Sequence, residues 1–168
     1  INADITLNIP DFRSGEKTFA LLYQASGRAG RNKIPGEVVI ETFNPDNTIL
    51  NCVKEQNYEK FYQYEMNIRK KLKYPPFYYL AHITIKSKDY EIAKSEASKV
   101  KSFLSTHIDS NSIILGPTTA NMFRMNNVYH FEIMIKYRFD KKLKQALKEL
   151  DQLFLLNRKA EIDIDLTY

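Results

Sequence analysis

The sequence holds one cysteine, Cys52, so it can form no internal disulfide. Its three histidines, His82, His107 and His130, lie far apart without metal-ligand spacing, and no metal site is expected. No apolar run approaches the roughly 18 residues that cross a bilayer, and the opening INADITLNIP lacks the basic start and apolar middle of a signal peptide. The expectation is therefore a cytoplasmic chain without a membrane partner. Internal repeats and low-complexity segments are missing too. None of the five glycines belongs to a GxxxxGKS/T phosphate loop, and no DExx box supplies a magnesium carboxylate. These residues alone are not expected to hydrolyse a nucleotide.

What is present suffices for one ordinary domain or two small ones: 168 residues, 43% of them hydrophobic. Lysine and arginine outnumber aspartate and glutamate by 25 to 20, giving a net charge of +5 and a pI near 9.1. That is a moderate bias toward polyanionic partners.

The character of the chain changes at Tyr74-Pro75-Pro76, where proline disfavours helix. Before it, Ile1 to Leu7 reads as extended and Ser14 to Ser26 as a helix with Phe19, Leu22 and Tyr23 on one side. Glu37 to Phe43, EVVIETF, has the β-branched content of a buried strand, and NPDN then turns the chain. A helix from Asn57 to Lys73 carries Phe61, Ile68 and Leu72 as its stripe, with Glu65 and Arg69 placed to pair. After the prolines, Tyr79, Ala81, Ile83 and Ile85 alternate as a strand, and Asp89 to His107 is helical. A short extended piece ends at Leu115-Gly116-Pro117, and Asn126-Asn127 is a hairpin tip before the strand Val128 to Tyr137. A helix from Asp140 to Leu156 and a final strand with Ile162, Ile164 and Leu166 complete the chain. Strand, helix, strand, strand, helix, strand is the ferredoxin-like βαββαβ order, so the fold class is α+β. Tyr129, Phe131 and Tyr137 belong to its core face, leaving His82, Thr84, His130, Glu132 and Lys136 for the open face.

Residues 24 to 31 read QASGRAGR, with Arg28 and Arg31 on a glycine-rich backbone. A pair of guanidinium forks suits a phosphate whose charge spreads during reaction, while arginines at a helix C-terminus also satisfy its last carbonyls. Both readings are open from the motif alone. Around it stand Pro10-Asp11-Phe12-Arg13, Glu16, GEVVIETFNPD (36–46), Tyr74-Pro75-Pro76-Phe77, Gly116-Pro117 and IDID (162–165). Together these resemble the PriA family of replication-restart helicases (primosomal protein N′), in order along nearly the whole chain. Ala25-Ser26, His130 and Leu166 depart from the family pattern.

The resemblance implies the following. Gln24, Gly27, Arg28 and Arg31 would form helicase motif VI, with Arg31 or Arg28 an arginine finger on ATP and Mg2+ held elsewhere in the parent protein. Residues 1–54 would end a partial RecA-like α/β helicase lobe, 55–77 would be a connecting helix and YPPF linker, and 78–168 the ferredoxin-like domain. A zinc-binding segment would lie upstream. The parent would be a superfamily 2 ATP-dependent 3′ to 5′ DNA helicase that remodels stalled forks and promotes primosome assembly. Its partners would be branched and single-stranded DNA, the acidic tail of single-stranded DNA-binding protein and other primosome proteins, in the bacterial nucleoid.

Two basic clusters suit such anionic partners: Arg69, Lys70, Lys71 and Lys73 beside Tyr62, Tyr64 and Tyr74, and Lys141, Lys144 and Lys148 on the last helix. Arg124, with Asn121, Asn126 and Asn127, makes a polar hairpin that can meet DNA or a protein. Two other functions share the topology. A stand-alone RNA-binding module would place aromatics on the open face and carry a K/R-G-F/Y-G/A-F-V signature, which is lacking; a ligand-sensing domain would leave GRAGR unexplained.

Overall fold

The computed structural model describes residues 1–29, 37–156 and 159–167. The chain divides into two compact units, Ile1–Leu72 and Lys73–Tyr168.

The first unit contains helices α1 (Asp4–Leu7), α2 (Ser14–Ala29), α3 (Thr48–Lys54) and α4 (Tyr58–Leu72). The opening segment is not the expected strand: Asn2 pairs with Glu41 in an isolated parallel bridge, and its Oδ1 then accepts from Asp4 N–H as the chain turns into α1. The Asp4 carboxylate accepts from Thr42 Oγ1 at 2.7 Å and Phe43 N at 2.8 Å, tying α1 to the segment read as a buried strand. That segment makes only the one bridge among the described residues, and Val39 (66% exposed) and Phe43 (98%) face outward. The expected α/β lobe is not evident among the described residues.

Helix α3 was not legible from periodicity. It starts because Asn47, at the end of the NPDN turn, accepts from Ile49 N–H through its side chain, satisfying a donor that the first helical turn leaves open. The core of the unit is Ala3, Phe19, Leu22, Ile49, Leu50, Cys52, Val53 and Phe61, with the Phe19 and Phe61 rings stacked at 4.1 Å. Gly15 lets the helices approach: a Cβ there would lie 2.8 Å from Ile49 Cδ1 and 3.2 Å from Glu65 Oε2.

The second unit is β1 (Tyr79–Ser87), α5 (Tyr90–His107), β2 (Ile113–Met125), β3 (Val128–Tyr137), α6 (Leu143–Leu155) and β4 (Glu161–Thr167). Its four-stranded sheet has the order β2-β3-β1-β4 with every neighbouring pair antiparallel, the ferredoxin-like arrangement expected. Period-two patterning fixes the register, since a one-residue slip would turn every apolar side chain to the other face. Ile83 lies between Ile133 and Ile164, and Ile85 between Phe131 and Ile162. Ala93, Ala97, Val100 and Leu104 of α5 and Leu143, Leu147 and Leu150 of α6 cover that same face in one core.

Two features of this unit depart from the sequence reading. Strand β2 does not end at Gly116-Pro117 but continues to Met125 across two register shifts. Gly116 makes the passage possible: its φ is +97°, and a Cβ would stand 2.6 Å from the Glu132 carbonyl oxygen. On the face opposite the core, His130 and Lys136 are buried rather than open. The Lys136 ammonium lies 3.5 Å from the centroid of the Tyr74 ring, so the segment before β1 covers this end of the sheet.

Helix α6 begins at Leu143, three residues later than expected, because Asp140 acts before it. The Asp140 carboxylate accepts from Lys142 N, Leu143 N, Asp109 N and Ser112 Oγ at 2.6 to 3.0 Å. Burial opposes its ionisation, but the Ser112 hydroxyl and the three backbone N–H groups outweigh that and hold the carboxyl below its ordinary range.

Candidate nucleic-acid interface

Helix α4 is built with two distinct sides. Asn57 caps its start by accepting from Lys60 N–H. Phe61, Glu65 and Arg69, at four-residue steps, form its buried side instead of the expected Phe61, Ile68 and Leu72. Arg69 donates through Nε to Glu65 Oε1 and through Nη2 to Glu16 Oε2, both at 2.8 Å, and lies 5.1 Å from the Phe12 ring centroid. Burial alone would lower its pKa; the hydrogen bonds to Glu16 and Glu65 raise it above the ordinary value. Arg69 therefore cross-links α2 to α4 and is not a surface cation beside Lys70 and Lys71. The sequence identified the Glu65 pair but carried no local sign of Glu16, 53 residues away.

Lys70 and Lys71 are exposed on the last turn of α4. Of the three tyrosines expected beside them, Tyr62 is exposed, while Tyr64 packs against the core of the first unit. Tyr58, missed by the sequence reading, is exposed one turn before Tyr62, with the two rings 6.3 Å apart. Its signal was the four-residue spacing of two aromatics. Lys73 opens the second unit at φ +57°, with its ammonium 5.8 Å from the Tyr78 ring.

Residues 24–29 of the QASGRAGR stretch lie at the end of α2. The helix runs through Gly27 and reaches Ala29, further than Ser26, and Gln24 is exposed on it. A Cβ on Gly27 would meet nothing within 4 Å. Ser26 donates to the Tyr23 carbonyl and accepts from Gln56 Nε2, beside a cavity of about 520 Å³ lined by Ser26, Ile40, Leu50, Val53 and Gln56. The Arg28 side chain and all of Arg31 lie outside the described residues.

On α6, Lys144 and Lys148 are exposed, as their spacing opposite the apolar stripe requires, while Lys141, expected on the same helix, is exposed in the turn before it. Lys144 and Lys148 border a groove of about 370 Å³ with Leu147, Ile164, Leu166 and Asp151. Arg124 lies near the β2–β3 turn, donating to Asn127 Oδ1 at 2.9 Å. No group of three or more His, Cys, Asp and Glu able to hold a metal occurs among the described residues.

Fold and surface thus define a class: an α+β sheet domain, following a helical unit in sequence, with its free lysines and Arg124 displayed to solvent. Residues 70–167 match the family model for the primosomal protein N C-terminal domain, and the chain belongs to that family. Replication restart protein PriA of Bacillus subtilis (strain 168) is 42% identical over 163 residues, covering 97% of this chain and 20% of that protein. Its counterpart in Borreliella burgdorferi is 36% identical over 169 residues, covering 98% of this chain and 25% of that protein. The chain thus spans a fifth to a quarter of the length of these relatives.

Proposed function

We propose that this chain is part of an ATP-dependent 3′ to 5′ DNA helicase acting in replication restart, and that it supplies DNA- and partner-binding surface together with one side of the ATP site. The observation that carries this reading is the 42% identity over 97% of the chain to a replication restart protein PriA, which includes the GRAGR region. In the proposed motor, Gln24, Gly27, Arg28 and Arg31 form motif VI of a RecA-like lobe. An arginine there stabilises charge on the transferring γ-phosphoryl of an ATP–Mg2+ bound elsewhere in the parent. Arg31 is favoured over Arg28, since α2 runs through position 28. The parent's zinc segment lies outside this chain in the same reading.

Lys70, Lys71 and Lys73 are the proposed contacts to the phosphates of branched or single-stranded DNA. Lys141, Lys144 and Lys148 are proposed for an acidic peptide such as the tail of single-stranded DNA-binding protein, because two of them border a groove with an apolar floor. Two measurements test the reading. In the full-length parent, Arg28→Ala or Arg31→Ala is expected to abolish DNA-stimulated ATPase; full activity in both variants removes the finger. In this chain, replacing Lys70, Lys71 and Lys73 by Gln is expected to weaken salt-sensitive binding to forked DNA in fluorescence anisotropy, and unchanged affinity removes that patch.

A further inference from the structure

Strand β2 departs furthest from regular pairing at its far end. Thr119 pairs with Phe131 and Arg124 with Tyr129, so Ala120, Asn121, Met122 and Phe123 stand opposite His130 alone. Such bulges re-aim side chains out of a ladder. Met122 is 67% exposed, Phe123 37% and Met125 46%, and the strand closes on Asn126 and Asn127, both at positive φ, in the manner of a tight two-residue turn.

Beneath the bulge lies an aromatic cluster. Phe123 is 5.9 Å from Tyr90 and 5.4 Å from Tyr129, centroid to centroid, and Tyr90 stands edge-on to both. Two cations meet its rings: the Arg124 guanidinium lies 5.2 Å from the Tyr129 ring and the Lys94 ammonium 5.8 Å from the Tyr90 ring. From Ile113 through Phe131 the sequence contains no carboxylate, and the hydrogen bond Arg124 makes is to the neutral Asn127 side chain. A partly open phenyl ring is thus held by two other rings, each of which carries a cation, on a strand end without carboxylates.

We propose that the bulged tip of the β2–β3 hairpin binds single-stranded nucleic acid. Phe123 stacks on an unpaired base, and Arg124 and Lys94 contact the flanking phosphates. Every base has a π-face, so the site is sequence-tolerant, and it needs bases that are not already stacked in a duplex. A ring fixed in advance by Tyr90 and Tyr129 loses little freedom on binding. The inference rests on the reading that this chain binds DNA, and it adds where unpaired bases are held.

The test is fluorescence anisotropy of the full chain with a labelled oligo-dT strand, an oligo-rU strand of equal length and a blunt duplex. Phe123→Leu keeps apolar packing and removes the ring; Arg124→Gln removes the guanidinium, with its contact on the Tyr129 ring, and keeps Phe123. Phe123→Leu is expected to weaken binding to single strands roughly 5- to 150-fold, the range for losing one stacked base, and to change duplex binding less than about twofold. Arg124→Gln is expected to lower the salt slope for single strands by about 0.7, one phosphate's share. Equal losses on dT and rU would mark stacking without sugar recognition; a loss on only one would assign the site to that strand. Single-strand affinities within twofold of the unaltered chain in both variants, with Lys70 and Lys71 still needed for binding, overturn this proposal alone. Equal losses on duplex and single strand also overturn it. An unaltered chain that binds none of the three ligands overturns the DNA reading beneath it.

Discussion

The two units hold themselves together differently. In Lys73–Tyr168, a sheet and two helices bury one continuous apolar core from Ala81 to Ala160, and its register follows from alternation along each strand. In Ile1–Leu72, a smaller core around Phe19, Leu22 and Phe61 is joined by a charged hub, in which Arg69 binds Glu65 beside it and Glu16 on another helix. An apolar core tolerates imperfection in one contact, because its energy is spread over many. A buried charge does not, because removing its partner leaves an uncompensated ion. The two units should therefore fail under different kinds of substitution.

The largest effect is expected from the hub. Glu65→Ala removes one of the two carboxylates that compensate the Arg69 guanidinium, whose side chain is 10% exposed, and should cost about 3 kcal/mol in urea unfolding followed by circular dichroism. Replacing both, Glu65→Leu with Arg69→Met, should recover most of that loss; a double variant as unstable as the single one would contradict the comparison. Close behind comes Gly116→Ala, which sets a Cβ 2.6 Å from the Glu132 carbonyl at positive φ and should cost about 2–3 kcal/mol. A near-neutral result would mean that β2 can shift at its bulge.

The smallest is Asp140→Ala, expected to cost about 1–2 kcal/mol by leaving four donors without their acceptor. Its pH dependence has a definite sign. The folded Asp140 carboxyl titrates below its unfolded value of about 3.9, so its contribution is present above that pH and is lost as pH falls through the folded value. The stability gap between the unaltered chain and Asp140→Ala should accordingly narrow in acid. A gap that stays constant from neutral pH down to about pH 2 would remove Asp140 from this role.

Legibility in the sequence followed the range of the interactions. The βαββαβ order, the Asn126-Asn127 turn and the apolar faces of β1, β3, α5 and α6 were readable because each is set by neighbours two, three or four residues apart. Val39 and Phe43 misled for the same reason: β-branched content marks what a strand needs, but a strand exists only where another pairs with it, and Asn2 supplies a single bridge. Helix α3 was hidden because its start depends on the Asn47 cap rather than on a long periodic face. Of the proposed binding residues, the exposed positions of Lys70, Lys71, Lys144 and Lys148 could be read from helical spacing. The inward turn of Arg69 could not, since Glu16 comes from a distant element.

Local chemistry in the sequence determined the fold class of the second unit, the net positive charge and the family resemblance, because periodicity, composition and motif order are properties of the chain before it folds. Tertiary structure alone decided which cations are free. It turned Arg69 into a cross-link, placed Lys136 beneath Tyr74, and set Arg124 and Lys94 around the Tyr90, Phe123 and Tyr129 rings. The reason is physical: whether a charge meets solvent, a carboxylate or a ring depends on residues that only folding brings within a few ångströms of it.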